Sequence, residues 1–358
     1  MTGGPRPADG LRPSAAAPPV EGIVPVLKPP GMTSHDVVDA CRRLFGIRRV
    51  GHAGTLDPAA AGVLLVCLGT STRLADYLSD AVKAYRAEIW LGVATDSHDS
   101  EGRLTDRRPE AETGPALDEA RLRAALARRR GPQLQVPPAV SAVHQQGDRA
   151  YRRHREGRPV ELPPRPVTIH RLELLAWWPG PFPRLLVDVV CSKGTYVRAL
   201  ARDLGADLGR PATLAALIRT AQGPFGLAEA VTLEELARAA AAGEGWRYAR
   251  PPARALAFWP AWVLDDADAR RVVHGGRPRP RPHPWDEPAH GSEAGAAADD
   301  DPEPAAGTGD APTWRVRLLD RRGRLLAVAR LERRGASWRA IPERVLHGGG
   351  AGSPPRRG

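Results

Sequence analysis

The chain has 358 residues, of which 42% are hydrophobic and 5% aromatic, and its formal net charge is +11. This length leaves room for two domains, and the hydrophobic content is sufficient for packed cores. No segment approaches the roughly 20 apolar residues that cross a bilayer, and the three cysteines are too far apart for a disulfide framework or a CxxC metal motif. We therefore expect a cytoplasmic protein without a membrane segment. Residues 1–20 lack the apolar core of a signal peptide, so we expect a disordered tail there.

The positive charge is unevenly distributed along the chain. Residues 284–311 contain eight acidic residues and no Lys or Arg, so the rest of the chain carries +19. Such a charge favours a polyanionic partner, with nucleic acid as the first candidate. A GC-rich genome offers another explanation, because 49 of the 52 basic residues are Arg. The three lysines, Lys28, Lys83 and Lys193, each lie beside a segment that is distinctive for other reasons.

The first elements lead to a loop of small residues. Residues 22–29 predict a strand, and residues 33–46 predict a helix that Thr33 caps and Gly46 ends. The segment GHAGTLDPAAAG (51–62) follows, with Asp57 as its one acidic side chain. A turn and a catalytic loop that another molecule approaches are both consistent with this composition, and these twelve residues alone favour the turn. Residues 62–69 form a continuous apolar run that predicts a buried strand.

The middle of the chain alternates between strands, helices and one basic stretch. Residues 84–92 have strand periodicity and place Tyr85 on the apolar face, where a core tyrosine is the ordinary interpretation. Residues 120–165 are Arg-dense and irregular, which is typical either of a functional or mobile segment or of a solvated loop. Residues 185–192 predict a strand, and the helix after it begins near Tyr196 and Arg198. Strands and helices mixed in this way predict an α+β fold with helices packed on a sheet.

A second unit is predicted from residue 251. A short helix there ends in a Gly-rich turn, and residues 314–346 predict strands joined by the DRRG and ERRG turns. The acidic segment 284–311 interrupts this unit, and its Ala, Pro and Gly content predicts disorder.

Several ordered motifs resemble one enzyme family. The segments VLKPPGMTSHDVV, GHAGTLDPAAAG, VKAYRAEIWLG and CSKGTYVRALARDLG occur in this order and resemble the TruB family of tRNA pseudouridine-55 synthases. The segments TDSHDSEG and ATLAALIRTAQGPF match the family too. This resemblance covers residues 22–233 and implies a pseudouridine synthase fold, with a mixed, largely antiparallel sheet and flanking helices over residues 21–250. Residues 251–348 resemble a PUA domain, a small RNA-binding β-barrel, and residues 349–358 would form a second tail.

The resemblance implies an isomerase that converts uridine to pseudouridine in the T-loop of tRNA, with no cofactor and no metal. Asp57 would be the nucleophile, or would stabilise a positive sugar carbon, and a carboxylate is already ionised at neutral pH. Arg198 would pair with Asp57. Tyr85 would stack on the flipped uracil and is a candidate for proton transfer. The acylal and glycal routes through Asp57 both stay open.

The resemblance also implies contacts to the RNA. Tyr196 and Leu217 would line the base pocket, and His52 would occupy the space that the flipped base leaves. Asp99 would lie near the RNA, with a turn carboxylate as the alternative role. Two further residues would be structural or would position phosphates, namely Lys28 and Lys193.

The insertion 120–165 implies a stand-alone bacterial enzyme, because it corresponds to the segment that closes over the T-stem loop. We expect tRNA as the partner, no obligatory protein partner, and a monomer. The run PPAVSAVHQQG departs from the family at Val140 and His144, where an aromatic residue and a lysine are usual. A tRNA-binding or tRNA-folding chaperone and a guide-RNA-dependent synthase are the alternative functions.

Overall fold

The computed structural model describes residues 21–112, 116–138, 162–282 and 314–346, together with the backbone of residues 144–145 and 148–149. The predicted tails and the acidic segment 284–311 lie outside the described residues. So does much of the 120–165 insertion, including Val140 and the side chain of His144.

The described chain contains seven α-helices, numbered here in chain order. They are α1 (Ser34–Phe45), α2 (Ala75–Ser79), α3 (Glu119–Arg128), α4 (Val197–Asp207), α5 (Leu233–Ala241), α6 (Pro252–Ala255) and α7 (Asp266–Val273). The first nine strands are β1 (Gly22–Lys28), β2 (Val50–Ala53), β3 (Ala61–Leu68), β4 (Lys83–Leu91), β5 (Val93–Thr95), β6 (Leu104–Arg107), β7 (Gly131–Gln135), β8 (His144–Gln145) and β9 (Asp148–Arg149). The others are β10 (Arg165–Trp178), β11 (Arg184–Cys191), β12 (Ala212–Gln222), β13 (Phe225–Gly226), β14 (Ala261–Val263), β15 (Arg315–Leu319), β16 (Leu325–Arg334) and β17 (Ser337–Val345).

One large sheet organises the N-terminal part of the described chain. Its strand order is β1-β3-β12-β4-β11-β10-β7, with β2 added to β3 and β13 added to β12. All of these pairings are antiparallel except β3 with β12, which run parallel. The predicted mixed, largely antiparallel sheet is therefore confirmed. Because β12 lies between β3 and β4, it separates the loop before β3 from Tyr85 on β4.

Helices cover the sheet through apolar stripes. The α1 helix buries Val37, Val38 and Cys41 in one core cluster, and the predicted cap at Thr33 forms a complete capping box with Asp36. The α4 helix buries Leu200 and Leu204 against the inner face of β4 and β12. This second contact brings the N-terminus of α4 close to the loop before β3, and so positions Arg198.

The C-terminal residues form a smaller β unit, as predicted. Its sheet has the order β14-β15-β16-β17, and α7 packs with it around the buried Trp262. This unit also shares a core cluster with the large sheet, in which Leu319 and Val328 lie with Ile23 and Phe225. The two units are thus joined by buried apolar contacts.

Gly62 marks the closest approach of β3 to β12. Its φ is +114°, and a Cβ placed there would lie 2.2 Å from the carbonyl oxygen of Arg219 and 2.6 Å from the amide nitrogen of the same residue. We expect Gly62→Ala to lower the free energy of unfolding by about 3 kcal/mol or more, because the clash is with backbone and the φ is unfavourable for alanine. Urea denaturation measures this loss. Gly226→Ala is the control, since its Cβ would meet only the Thr220 carbonyl oxygen at 3.8 Å, and an equal loss in both variants would contradict the prediction.

Candidate active site

The loop between β2 and β3 presents Asp57 at the edge of the sheet. The Ala60 amide donates to the Asp57 carbonyl, which closes a tight turn. Ser34 holds the residue before it, because its hydroxyl donates to the Leu56 carbonyl at 3.1 Å and accepts from the Leu56 amide at 2.9 Å. The residue after it is also held, since the Lys28 ammonium donates to the Pro58 carbonyl at 3.1 Å. The backbone on both sides of Asp57 is thus fixed by buried side chains.

One guanidinium joins two carboxylates beside this loop. The Nε of Arg198 lies 3.0 Å from Asp57 Oδ2, and its Nη1 lies 3.3 Å from Asp99 Oδ2. Nη1 also donates to the Ser97 carbonyl at 3.2 Å. The Arg198 side chain is only 6% exposed, whereas that of Asp57 is 42% exposed. A buried cation therefore orients a carboxylate whose other side remains open to an incoming molecule.

Burial and nearby charges shift the pKa of the Asp57 carboxyl in opposite directions. Desolvation raises its pKa above the ordinary value, and the nearby Asp99 charge raises it further, whereas Arg198 and Lys28 lower it. The Arg198 guanidinium, 3.0 Å away, favours the charged form of the Asp57 carboxyl, whose side chain keeps 42% of its surface exposed. The pair therefore supports the negative charge that a nucleophile requires.

Tyr85 lies on β4, on the inner face of the sheet, with 7% of its surface exposed. It belongs to the same core cluster as Leu56 of the Asp57 loop, and Leu217 packs against that cluster from β12. Burial raises the pKa of the Tyr85 phenol, and the hydrogen bond from Arg219 opposes this rise. The phenol is consequently neutral at pH 7, and Tyr85 shares a core cluster with Leu56 of the carboxylate-bearing loop.

Tyr196 and His52 lie on two different elements, at the start of α4 and on β2. Tyr196 is the N-cap residue of α4, two positions before Arg198. Gln135 fixes it from β7 by accepting from the Tyr196 amide at 2.8 Å and donating to the Tyr196 carbonyl at 3.2 Å. His52 lies on β2, and burial together with the Arg219 charge lowers its imidazole pKa, so the ring is neutral at pH 7.

The other predicted RNA-binding residues have protein partners. Lys28 is fully buried, and its ammonium donates to the carbonyls of Pro29, Met32 and Pro58. Asp99 is buried in the turn after β5, where it accepts from the Ser97 hydroxyl and faces Arg198. Lys193 has a side chain that is 62% exposed, and its ammonium lies 2.8 Å from Asp80.

Sequence reasoning missed three side chains that hold the site, namely Ser34, Gln135 and Arg219. Ser34 is in the first turn of a predicted helix, where a serine is usually taken as a helix-start signal. Gln135 precedes the Pro-bearing segment and carries no motif of its own. Arg219 had a detectable signal, because it is a single charge inside the apolar strand ATLAALIRTAQ.

Lys83 gives a pH-dependent prediction. Its ammonium donates to the Ser79 and Ala81 carbonyls, and burial, with the Arg219 charge, lowers its pKa to about 8. In the unfolded chain the pKa is about 10.4, so between pH 8 and 10 the unfolded state binds more protons and this residue makes stability rise with pH. We expect the free energy of unfolding of the parent, minus that of Lys83→Met, to increase by about 1 to 2 kcal/mol from pH 8 to 9.5. Urea titrations at both pH values measure the difference, and a constant or decreasing difference would refute it.

Within the described ranges, no helix is both long and apolar enough to cross a membrane. Among the same residues, no three His, Cys, Asp or Glu side chains are grouped closely enough to hold a metal ion.

Comparisons with known proteins identify the family. Residues 42–197 match the profile of the TruB family pseudouridylate synthase N-terminal domain, and residues 198–249 match that of the tRNA pseudouridylate synthase B C-terminal domain. The chain belongs to the TruB family of pseudouridine synthases. A protein of Symbiobacterium thermophilum named tRNA pseudouridine synthase B is 51% identical over 263 residues, which are 74% of this chain and 85% of that protein. One of Moorella thermoacetica with the same name is 46% identical over 91% of this chain and 99% of its own.

Solved structures share the fold of this TruB-family chain. A chain in the structure of an H/ACA RNP bound to a substrate RNA containing 2'-deoxyuridine superposes with a TM-score of 0.63 at 23% identity, over 91% of this chain and 84% of its own. A chain in a Cbf5-Nop10-Gar1 complex gives 0.63 at 21% identity, over 91% and 85%. The pseudouridine synthase fold is therefore confirmed for a chain that carries a TruB-type loop.

Proposed function

We propose that this TruB-family enzyme isomerises uridine 55 in the T-loop of tRNA to pseudouridine, with Asp57 as the group that acts on the sugar. The ion pair between Arg198 and the half-exposed Asp57 is the observation that carries the proposal. It favours the ionised form of the carboxylate, fixes its orientation and leaves one side open. Relatives named tRNA pseudouridine synthase B, at 46–51% identity, support tRNA as the substrate.

The chemistry requires one bond to break and another to form at the same sugar carbon. The C1′–N1 bond of the uridine breaks, the uracil turns, and C5 bonds to C1′ while its proton is lost and N1 gains one. Asp57 would attack C1′ in the acylal route, or would remove the C2′ proton in the glycal route. Both routes require the carboxylate to be ionised beforehand, which the Arg198 guanidinium favours.

The base must leave the T-loop to reach Asp57, at a cost of a few kcal/mol. Tyr85 would stack on the extruded uracil, Tyr196 and Leu217 would line the pocket, and His52 would fill the vacated space. An uncharged imidazole suits that last role, because a charged ring would have to be desolvated among stacked bases.

Tyr85→Phe separates stacking from proton transfer. Phenylalanine keeps the aromatic face and removes the hydroxyl, so we expect the single-turnover rate to fall by about 10²-fold while the Kd for tRNA stays within threefold. Quench-flow with tritium release from [5-³H]uridine tRNA measures the rate. Tyr85→Leu is the comparison, since it also loses stacking, and a Phe variant with the parent rate would exclude the hydroxyl from the reaction.

The main test uses unmodified tRNA made by transcription. Incubation with the pure enzyme, followed by carbodiimide treatment and primer extension, should give one new stop at the T-loop uridine. The same tRNA with cytidine at that position is the control. A folded protein that produces no stop would refute the proposed function.

We further propose that the enzyme acts alone, as a cytoplasmic monomer, with a catalytic unit over residues 21–250 and a PUA-like unit over 251–348. Activity of the pure protein without guide RNA or a second protein tests whether the enzyme acts alone. Sedimentation at micromolar concentration tests whether it is a monomer. A requirement for an added guide RNA would favour the guide-dependent alternative.

A tRNA-folding activity is a second candidate, favoured by the +19 charge outside the acidic segment. Base extrusion and tRNA remodelling both need the loop opened, so one surface could serve both. Asp57→Asn should then still accelerate tRNA folding in vitro. A variant that binds tRNA but gives no acceleration would contradict this activity.

A further inference from the structure

Arg219 is fully buried in β12, where the rest of the strand carries no charge. Burial of a guanidinium is costly unless its donors and its charge both find partners. Within the described residues, Arg219 has no ion pair with a carboxylate, and Tyr85 is the one ionisable group that stabilises its charge. The groups that the Arg219 guanidinium contacts therefore indicate its role.

The Arg219 guanidinium holds the two ends of the Asp57 loop together. Its Nη2 donates to the Gly54 carbonyl at 2.9 Å, and its Nη1 donates to the Thr55 carbonyl at 3.4 Å. Its Nε donates to the Val63 carbonyl at 2.7 Å. Gly54 and Thr55 precede Asp57 and Val63 follows it, so one rigid planar group spans the loop.

The Arg219 guanidinium also contacts Tyr85, the second candidate catalytic residue. Arg219 and Tyr85 are direct cross-strand partners in β12 and β4, and the phenol accepts a hydrogen bond from the guanidinium. Gln222 holds the backbone just before this loop by donating to the Ala53 carbonyl at 3.0 Å. Arg219 differs from it because its one guanidinium contacts both the loop that carries Asp57 and the phenol of Tyr85.

We propose that Arg219 is a positioning residue for both reacting side chains, fixing the loop that carries Asp57 and orienting the phenol of Tyr85. The inference rests on the proposed function, because it takes these two residues to act on the uridine. A displacement of about 1 Å in a reacting group can lower a rate by about 10²-fold. A side chain that sets two such groups at once should have an effect at least this large without touching the RNA.

The test compares Arg219→Gln and Arg219→Lys with the parent. We expect the single-turnover rate to fall by about 10²-fold in the Gln variant and by less in the Lys variant, which keeps the charge but loses the planar fork. The Kd for tRNA should stay within threefold. Hydrogen exchange of the amides in residues 54–60 should become faster while the melting temperature of the protein falls little. In a Tyr85→Phe background, Arg219→Gln should cost less than it does alone, because only the hold of Arg219 on the Asp57 loop is then lost.

Arg210→Lys is the matched control. Arg210 is also buried and begins the turn into β12, but it pairs with Glu110. The Arg210→Lys variant should change the single-turnover rate by less than threefold. The proposal is overturned if a folded Arg219→Gln keeps a rate within threefold of the parent, if its effect is undiminished in the Tyr85→Phe background, or if both Arg219 variants fail to fold. Activity of the parent and its loss in Asp57→Asn are measured in parallel, so failure of the proposed function is seen separately.

Discussion

Asp57→Asn is expected to lower the single-turnover rate of pseudouridine formation by about 10⁴-fold or more and to leave the Kd for tRNA within threefold. The substitution replaces one oxygen by a nearly isosteric NH₂ group. It removes the negative charge that attacks C1′ or takes the C2′ proton, and it adds no bulk against the RNA. The Arg198 guanidinium keeps Asp99 at 3.3 Å and the Ser97 carbonyl at 3.2 Å, so the pocket should retain its shape.

Two features of the chain make this test sharp. Spontaneous return of asparagine to aspartate requires the next backbone N–H, and Pro58 has none, so the variant should be free of reverted enzyme. Asp188→Asn is the control, because Asp188 forms a partly exposed pair with Arg86 at 2.8 Å, away from the Asp57 loop. It should change the rate by less than twofold. An Asp57→Asn enzyme within tenfold of the parent would show that another group acts on the sugar.

Helices and strands of this fold were predictable where hydrophobic residues recur with a clear helical or strand period. The alternation in β4 placed Tyr85 on the buried face, and the cap signals at Thr33 and Gly46 fixed both ends of α1. The sequence also suggested the loop of Asp57, although its small residues alone favoured a plain turn. The motif order, rather than any physical pattern, related Asp57 to Arg198 across more than a hundred residues.

Contacts that depend on the register between distant strands could not be predicted. Asp99 meets Arg198 because the turn after β5 folds against α4, and no local pattern encodes that contact. For Lys28 the sequence left a structural role and a phosphate-positioning role open, and its contacts with the carbonyls of Met32 and Pro58 depend on how the chain folds around it. Arg219 shows only a local signal, one charge in an apolar strand, and the sequence does not place the carbonyls of Gly54 and Val63 beside it.

Arg198→Met should give the second largest loss, a fall of about 10³-fold in the single-turnover rate at pH 7.5. The guanidinium is the counter-charge of both Asp57 and Asp99, and its removal leaves two carboxylates facing each other. Repulsion and the lost pairing both disfavour the ionised form. The pKa of the Asp57 carboxyl, already raised by burial, should then rise further. The fraction of enzyme with an ionised carboxylate would fall.

Because the pKa of Asp57 should rise in Arg198→Met, the loss of rate should depend on pH. In the parent, the Arg198 guanidinium favours the ionised form of Asp57, so the rate should vary less with pH than it does in the variant. In Arg198→Met the higher pKa of Asp57 moves the acid limb of the pH–rate profile to higher pH. The loss of rate should therefore be greater at pH 6 than at pH 8.5. Arg198→Lys should lose less, because an ammonium restores the charge but cannot contact both carboxylates in the same fork geometry. Arg86→Met, which breaks only the exposed pair with Asp188, is the control and should match the parent at every pH. An equal loss at pH 6 and 8.5 would mean that Arg198 orients Asp57 without determining its ionisation.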